Sequence, residues 1–265
     1  MTVTRGRPVL VWEAAGRGAA LLERSWWSWA GPHGGMLASL AVAAAEHTGG
    51  GLPVRELSAQ FLAPPAEGPV QVEVRPLRQG SSSDVLAVTL SSGPNVALAA
   101  TVLAGRSRPG RALAGVVAPA VPGPERCTSM ELPVDLVPFL QHLDFRPAKD
   151  TPLLGGAAQA EFVGWLRLRD GTTLDAQVLT VLVDALPPAL YAVVTSPVPV
   201  PTVALSVQYT EPTSAPLRGW VLGRIITRSA GGGWCVDDSD LWAPDGQLLA
   251  SARQTRRVLE PAGEQ

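Results

Sequence analysis

The chain has 265 residues, a formal net charge of −2 at pH 7, 46% hydrophobic residues and 17% charged residues. This balance provides no excess of cations for neutralising phosphates, which argues against nucleic acid as the main partner. Cys127 and Cys235 are too few and too far apart for a disulfide framework or a metal knuckle, so we expect a reducing, cytoplasmic compartment. Residues 1–18 hold only a short apolar stretch interrupted by Glu13, which predicts neither a signal peptide nor membrane insertion.

The chain contains an internal repeat. LSAQFLAPP, which begins at Leu57, returns as LSVQYTEPT, which begins at Leu205. Upstream, a tryptophan precedes an apolar run by nine residues in each copy, at Trp27 and at Trp165. Near the two ends, NVALAATVL resembles GQLLASARQ. The shared order of these segments predicts a duplicated domain.

The first copy reads as strands, one helix and more strands. Residues 8–12 and 20–29 are predicted strands, and the second of them ends at the turn signal Gly31-Pro32. HGG then opens an apolar helix, MLASLAVAAAEH, whose small residues on every side predict burial. Up to four β-rich runs follow it: VRELSAQFL, VQVEVRPLRQ, DVLAVTLSS and NVALAATVLAG. The short turns between them predict antiparallel hairpins.

The second copy repeats this order after a Pro-, Gly- and Arg-rich linker or crossover segment, residues 106–137. DAQVLTVLVDAL is its predicted helix, ended by Pro187-Pro188, and four β-rich runs follow. The sequence therefore predicts an N-terminal unit, residues 1–105, and a C-terminal unit, residues 138–265. Each unit is an α+β domain in which a sheet curls around a central helix.

With the two copies in register, polar residues of the second copy fall on apolar residues of the first. Thr202 lies opposite Val54, and Gln254 lies opposite Leu103. The duplicated architecture needs no polarity at these positions. The first copy is therefore predicted to be scaffold, and the second to carry a site.

A third polar residue, Asp184, lies among valine and leucine residues of the second predicted helix. A carboxylate in such surroundings loses hydration unless it is hydrogen-bonded or functionally required. The alternative is that it lies near the helix end and reaches solvent. If the helices are aligned without gaps from the paired tryptophans, Asp184 lies opposite Glu46 in the alignment. Glu46 is the alternative candidate for the acid, but we expect it in a solvated C-terminal turn.

HGGMLASLAVAAAEH and LSAQFLAPP in the first half, followed by VLVDALPPAL, PTVALSVQYTEP and LLASARQTRRVL in the second, resemble the type II acyl-CoA thioesterases. The resemblance covers nearly the whole chain. It implies a double hotdog fold and hydrolysis of an acyl-CoA to a free fatty acid and coenzyme A. An aromatic and histidine-containing strand of that family has become ALSVQYT here, which bears on substrate range more than on reaction type.

The resemblance also implies the catalytic group. The family's acid, hydroxyl and amide fall on Asp184, Thr202 and Gln254. Asp184 would orient and partly deprotonate water, helped by the Thr202 hydroxyl and the Gln254 side-chain carbonyl. Backbone N–H groups of Gly34 and Gly35, at a helix N-terminus, would bind the oxyanion, although a tight turn into a buried helix also explains these glycines. No cofactor or metal is required.

Several other residues have two interpretations. An arginine group at positions 224, 228, 256 and 257 could meet the phosphates of coenzyme A, but a solvated sheet edge is the better interpretation for any one of them. The tryptophans at 26, 27, 29 and 165 could line an acyl tunnel, although strand aromatics usually pack in cores. His33 is interpreted as a loop histidine.

Two other functions remain open from the sequence. LDAQVL, with Asp175, resembles the acid-bearing segment of polyketide dehydratases, which would make the chain a double-hotdog dehydratase or hydratase acting on acyl thioesters. The glutamine expected four residues later is Leu179, however, and the motif that supplies the dehydratase base is absent around His33. The chain could also be a non-catalytic acyl-binding module. Sheet association makes a homo-oligomer plausible.

Overall fold

The computed structural model describes residues 8–29, 31–111, 113, 115–131, 133–210 and 217–259. Its first copy contains β1 (Val11–Ala14), β2 (Arg17–Leu22), β3 (Trp27–Ser28), β4 (Gly31–Pro32), α1 (Gly34–Thr48), β5 (Val54–Phe61), β6 (Gly68–Arg78), β7 (Ser83–Ser92) and β8 (Asn95–Gly105). Its second copy contains β9 (Leu143–Pro147), β10 (Glu161–Leu168), α2 (Ala176–Val183), β11 (Thr202–Tyr209), β12 (Val221–Gly231), β13 (Trp234–Trp242) and β14 (Leu248–Arg257).

Both copies contribute to one antiparallel sheet in the order β1-β2-β6-β7-β8-β5-β11-β14-β13-β12-β10-β9. Strands β5 and β11 pair at its centre, with Ser58 directly opposite Ser206. These two serines are also equivalent in the repeat, and the strand order on one side of them mirrors the order on the other. The sheet is therefore built around a pseudo-twofold axis, as a duplicated α+β domain requires.

The two helices lie inside the curled sheet and pack against each other. Helix α1 begins after His33 and ends before Gly49, and ten of its fifteen residues are buried. Its small side chains permit close approach, because a Cβ added at Gly35 would lie 2.6 Å from the backbone oxygen of Thr180 in α2. Neither helix in the described part of the chain is long and apolar enough to cross a membrane.

Residues 116–122 of the segment between the copies lie on the outer face of the second one. The backbone oxygen of Val116 accepts a hydrogen bond from the indole N–H of Trp242 over 3.0 Å, and that of Pro122 accepts one from Trp165 over 2.8 Å. These two indoles belong to an apolar cluster separate from the main core. The linker therefore covers outward-facing tryptophans, and Trp165 is buried in this separate cluster and is not part of a tunnel.

The sequence-based element boundaries were wrong in three places. Two strands were predicted at 8–12 and 20–29, but β1 lies later than its prediction and β2 begins and ends earlier than its own. The chain then turns at residues 24–26, where Trp26 N–H bonds to Glu23 O. Helix α2 ends at Val183, three residues before the end of the predicted helix. The tryptophan match was wrong as well, because Trp27 lies in the two-residue strand β3 whereas Trp165 lies in β10, which takes the sheet position of β2.

Candidate active site

Asp184 follows α2 directly and points toward the start of α1. Its side chain is 7% exposed. One carboxylate oxygen, Oδ2, accepts a hydrogen bond from Gly35 N–H over 2.6 Å, and the other, Oδ1, accepts one from Nε2 of Gln254. The carboxylate of the second copy is thus held by the helix N-terminus of the first, where the helix dipole favours negative charge.

Thr202 and Gln254 lie beside Asp184 because β11 and β14 are neighbours in the sheet. Thr202 is the first residue of β11, and Gln254 is fully buried on the inner face of β14. Nε2 of Gln254 lies 3.3 Å from Oγ1 of Thr202. The structure therefore brings the three predicted residues together.

Sequence analysis missed the role of Arg256 in this group. We expected a solvated sheet edge there, but Arg256 is 5% exposed. Its guanidinium donates Nη1 to Thr202 Oγ1 over 2.7 Å and Nη2 to Gln254 Oε1 over 2.7 Å. The alternation in β14 could have predicted the burial of Arg256. Ala250 and Ala252 face inward, and the period of two places Gln254 and Arg256 on the same face.

A buried aspartate holds the far side of this guanidinium. Oδ2 of Asp237, in β13, accepts from Nε of Arg256 over 2.9 Å. Oδ1 of the same carboxylate accepts from the hydroxyl of Thr227 over 2.7 Å. Asp237 is fully buried, so its charge is compensated mainly by Arg256.

The predicted use of the Gln254 carbonyl was wrong. A guanidinium can only donate hydrogen bonds, so the atom of Gln254 that faces Arg256 must be the carbonyl oxygen, Oε1. The NH₂ group then faces Asp184, whose carboxylate is the acceptor. The carbonyl is occupied inside the protein, and Gln254 holds Asp184 instead of drawing a proton from water.

The backbone N–H groups of the two glycines proposed to bind the oxyanion, Gly34 and Gly35, differ in whether they are already hydrogen-bonded. The N–H of Gly35 is already donated to Asp184, so the expectation for Gly35 was wrong. Gly34 lines the cavity described below, and among the described residues the hydrogen bonds of this turn come from Gly35, Met36 and Leu37 N–H and not from Gly34. A Cβ at Gly34 would lie 3.0 Å from Asp184 Oδ2 and 3.2 Å from the ring of Phe61, so a side chain there would crowd the carboxylate.

His33 is not a loop histidine but a buried cap. Its Nδ1 accepts a hydrogen bond from Met36 N–H over 3.1 Å, so the ring proton resides on Nε2. Nε2 donates to the backbone oxygen of Asp184 over 3.1 Å. Burial lowers the pKa of His33 below its ordinary value of 6.5, although the Asp184 carboxylate opposes this effect. A neutral His33 therefore joins the start of α1 to the end of α2.

The sheet register corrects the alignment of the last strands. Leu57 pairs with Val102, and its repeat equivalent Leu205 pairs with Gln254. Gln254 therefore corresponds to the buried Val102 and not, as predicted, to the exposed Leu103. The contrast between a polar and an apolar residue survives this one-residue shift.

The same register shows two more polar substitutions in the second copy. Arg256 corresponds to the buried Ala104, and Asp237 corresponds to the buried Leu86. Together with Gln254, these residues convert an apolar part of the sheet interior into a polar network. The asymmetry between the copies is therefore larger than the sequence indicated.

The predicted match of Asp184 with Glu46 was also wrong. His33 caps α1 and Asp175 caps α2, with Asp175 Oδ1 accepting from Val178 N–H over 2.8 Å. When the two helices are aligned on these caps, Asp184 corresponds to Val42. Helix α1 continues to Thr48, more than a turn beyond Val42, whereas α2 ends at Val183. Glu46 instead accepts from the Gln177 side chain over 2.8 Å.

An apolar cavity of about 660 Å³ opens above Asp184, Thr202 and Arg256. Its wall contains three of the four phenylalanines of the chain, together with a tyrosine, a tryptophan and aliphatic residues of the linker: Phe61, Phe139, Phe145, Tyr191, Trp29, Met130, Leu136 and Val137. Trp29 is 49% exposed at the rim, whereas Trp26 and Trp27 are buried in the core. Of the tryptophan cluster, only Trp29 fits the tunnel interpretation.

The remaining polar residues have structural partners. Arg224 pairs with Glu161, Arg228 pairs with Asp238, and Arg257 stacks over Trp234. The expected sheet edge was wrong, because these arginines lie in β12 and β14, which are interior strands of the sheet. Asp175, the acid of the dehydratase interpretation, is a helix cap that does not line the cavity. Among the described residues, no group of three or more His, Cys, Asp or Glu side chains could hold a metal ion.

Comparison with protein families gives the decisive observation. A model described as the acyl-CoA thioesterase N-terminal domain matches residues 23–105, and one described as the acyl-CoA thioesterase C-terminal domain matches residues 124–258. The chain belongs to the acyl-CoA thioesterase family. It is therefore a hydrolase of thioester bonds, as the sequence resemblance implied. No curated protein matches the thioesterase in sequence.

Solved structures agree with this thioesterase in fold. A hot dog fold protein from Alicyclobacillus acidocaldarius is 24% identical, with a TM-score of 0.89 over 96% of this chain and 97% of that chain. A candidate thioesterase II from Thermobifida fusca is 24% identical, with a TM-score of 0.85 and 96% of each chain covered. The acyl-CoA thioesterase II TesB2 from Mycobacterium marinum is 19% identical, with a TM-score of 0.77 over 97% and 98%. The α+β double hotdog prediction is confirmed.

Proposed function

We propose that the thioesterase cleaves acyl-CoA to a free fatty acid and coenzyme A with a water molecule activated by Asp184. The observation that carries this proposal is the position of the Asp184 carboxylate at the inner end of an apolar cavity, with Thr202 beside it. Both carboxylate oxygens are fixed by donors on rigid elements, α1 and β14. A base held in this way needs no reorganisation when it takes a proton.

The reaction requires a water, a base and donors for the oxyanion. Water forms a C–O bond to the thioester carbonyl carbon while Asp184 takes its proton. The negative charge moves to the carbonyl oxygen, which Gly34 N–H and the Thr202 hydroxyl stabilise. Collapse of this intermediate breaks the C–S bond, and the proton held by Asp184 passes to the departing thiolate of coenzyme A. Gln254 contributes by holding Asp184.

The cavity supports an apolar acyl chain as the bound group. Its volume of about 660 Å³ lies within the usual range for ligand sites, and its wall is mostly aliphatic and aromatic. The polar groups concentrate at one end, around Asp184, so the thioester lies there and the acyl chain extends along the apolar wall. We assign a medium or long chain to this wall, because a short acyl group would leave most of it without contact.

This proposal extends to the cellular setting and to assembly. A role in cytoplasmic fatty acid metabolism follows from the acyl-CoA substrate. Residues 1–105 and 138–265 act as the two hotdog units, and residues 106–137 connect them. Self-association through the sheet is compatible with β1, an edge strand whose residues are mostly exposed.

A thiol-release assay with acyl-CoA substrates of graded chain length tests the proposed function. We expect the wild type to release coenzyme A, and Asp184→Ala and Gln254→Ala each to lose at least about tenfold in rate, or 1.4 kcal/mol. Glu46→Gln is the matched control, since Glu46 is an acid outside the cavity lining. It should retain the wild-type rate.

Three results would contradict the proposal. Unchanged activity in Asp184→Ala would remove the mechanism. Water addition to an enoyl thioester without thiol release would favour the hydratase alternative. Tight acyl-CoA binding without any turnover would indicate a non-catalytic acyl-binding module.

A further inference from the structure

A buried arginine connects the groups around Asp184. The guanidinium of Arg256 contacts Thr202, Gln254 and Asp237, and its Nη2 lies 3.7 Å from Oδ1 of Asp184. Ala104 takes the same place in the first copy, so the fold itself does not need a cation there. Burying an arginine and an aspartate is costly even when they pair. The second copy therefore carries a cost that packing alone does not explain.

The first consequence of this contact is the orientation of the Gln254 amide. Without Arg256, either end of the amide could face Asp184. If the carbonyl end faced Asp184, the amide oxygen and the carboxylate would be two acceptors in contact. Arg256 prevents this arrangement, because its Nη2 donates to Gln254 Oε1 over 2.7 Å and holds the carbonyl on the side away from Asp184. The NH₂ group is then committed to Asp184.

The second consequence concerns the Thr202 hydroxyl. A hydroxyl group has two acceptor positions and one proton to donate. Nη1 of Arg256 occupies one acceptor position over 2.7 Å, and Nε2 of Gln254 approaches the other over 3.3 Å. With both lone pairs directed at donors, the Thr202 proton points away from them. Thr202 lines the cavity, so this proton is available to the reacting atoms.

We propose that Arg256 is a positioning residue that makes Thr202 a hydrogen-bond donor to the reacting group and Gln254 a donor to Asp184. This inference rests on the proposed function, in which Thr202 stabilises the oxyanion. Asp237 completes the arrangement, because its carboxylate binds Nε and leaves both terminal nitrogens directed at the site. Arginine suits this task because its planar fork presents several N–H groups in fixed directions.

Replacement of Arg256 by lysine tests the proposal. Arg256→Lys keeps the charge beside Asp237 but cannot direct separate N–H groups at Thr202 and Gln254. We expect kcat to fall at least about tenfold, with KM within about threefold of wild type, since the apolar acyl cavity is unchanged. Arg257→Lys is the control, because Arg257 is the next residue and faces outward over Trp234. It should leave both constants unchanged.

A double-mutant cycle separates positioning from a purely structural role. If Arg256 acts through the Thr202 proton, Arg256→Lys should cost much less kcat in a Thr202→Val background than in wild type. Added methylguanidinium should also restore part of the activity of Arg256→Gly, while a general loss of folding would not respond. Melting curves of each variant report whether it folds.

Two outcomes would overturn the proposal. One is a folded Arg256→Lys enzyme with wild-type kcat, and the other is full additivity of Arg256→Lys and Thr202→Val. If Arg256→Lys does not fold, Asp237→Asn is measured, since it keeps the shape of the side chain but weakens its hold on Arg256. An unchanged kcat in that variant also refutes the role. A wild type without turnover would instead refute the proposed function.

Discussion

The backbone N–H of Gly35 donates to the carboxylate of Asp184 over 2.6 Å, and this bond joins the first residues of α1 to the end of α2. The two residues lie in different copies of the repeat. The site therefore belongs to neither copy alone, because the first supplies the helix N-terminus and the second supplies the acid.

This contact predicts that Gly35→Ala damages both stability and activity. A Cβ there would lie 2.6 Å from Thr180 O and 2.8 Å from Asp184 Cβ, so the helices would have to separate. We expect the free energy of unfolding to fall by about 1–3 kcal/mol and kcat to fall with it. Denaturant unfolding and thiol release measure these effects. Gly231→Ala is the control, because its Cβ would meet nothing within 4 Å, and it should change neither the unfolding free energy nor kcat. A Gly35→Ala variant with wild-type stability and kcat would contradict the close packing.

The register of β8 predicts different effects for two neighbouring substitutions. Val102→Gln buries an amide where the first copy offers no counterpart of Arg256, so we expect a loss of about 1–3 kcal/mol in unfolding free energy. Leu103→Gln should be nearly neutral, because Leu103 is 37% exposed. Neither should change kcat. Chemical denaturation of the pair measures the difference, and equal stabilities would restore the alignment that places Leu103 opposite Gln254.

The rim of the cavity predicts a chain-length effect for Trp29→Ala. Trp29 packs edge-on against Tyr191, with ring centroids 6.4 Å apart, and is half exposed. Its removal takes apolar surface from a bound acyl chain, so KM should rise more for decanoyl-CoA than for propionyl-CoA. Trp234→Ala is the control, since Trp234 is 42% exposed but outside the cavity lining. Equal changes in KM for both substrates would remove Trp29 from the acyl wall.

Buried His33 and half-buried His142 predict a pH-dependent stability. Burial lowers the pKa of both His33 and His142 below 6.5, so the unfolded chain binds more protons than the folded one as the pH falls through that value. The stability that depends on these histidines is therefore fully present above pH 6.5 and is lost below it. For the buried His33 the loss is up to about 1.4 kcal/mol per pH unit, and for the half-buried His142 it is smaller because solvent screens the charge.

Unfolding measured between pH 7.5 and pH 5 checks this slope. His33→Asn keeps an acceptor for the cap of α1 but removes one titrating group, so its slope should be smaller than that of the wild type. The slope that remains in His33→Asn should come from His142. Identical slopes for the two proteins would show that His33 is not held neutral by the fold.

Local patterns predicted most of the secondary structure. Period-two alternation and turn residues identified β5 to β8 and β11 to β14, and small apolar residues identified α1. The predictions failed where tertiary contacts decide. The chain turns at 24–26 because Trp26 enters the core, and α2 ends at Val183 because Asp184 leaves the helix direction to meet Gly35.

By itself the sequence determined the duplication, the fold class and the family resemblance, since these depend on residue order, and the resemblance predicts Asp184, Thr202 and Gln254 as the catalytic residues. Only the tertiary structure decided how these residues are connected. Loop insertions shift the register from strand to strand, so Val102 rather than Leu103 corresponds to Gln254. Hydrogen bonds between distant strands and helices, such as those from Arg256 and Gly35, depend on this register and leave no local pattern in the sequence.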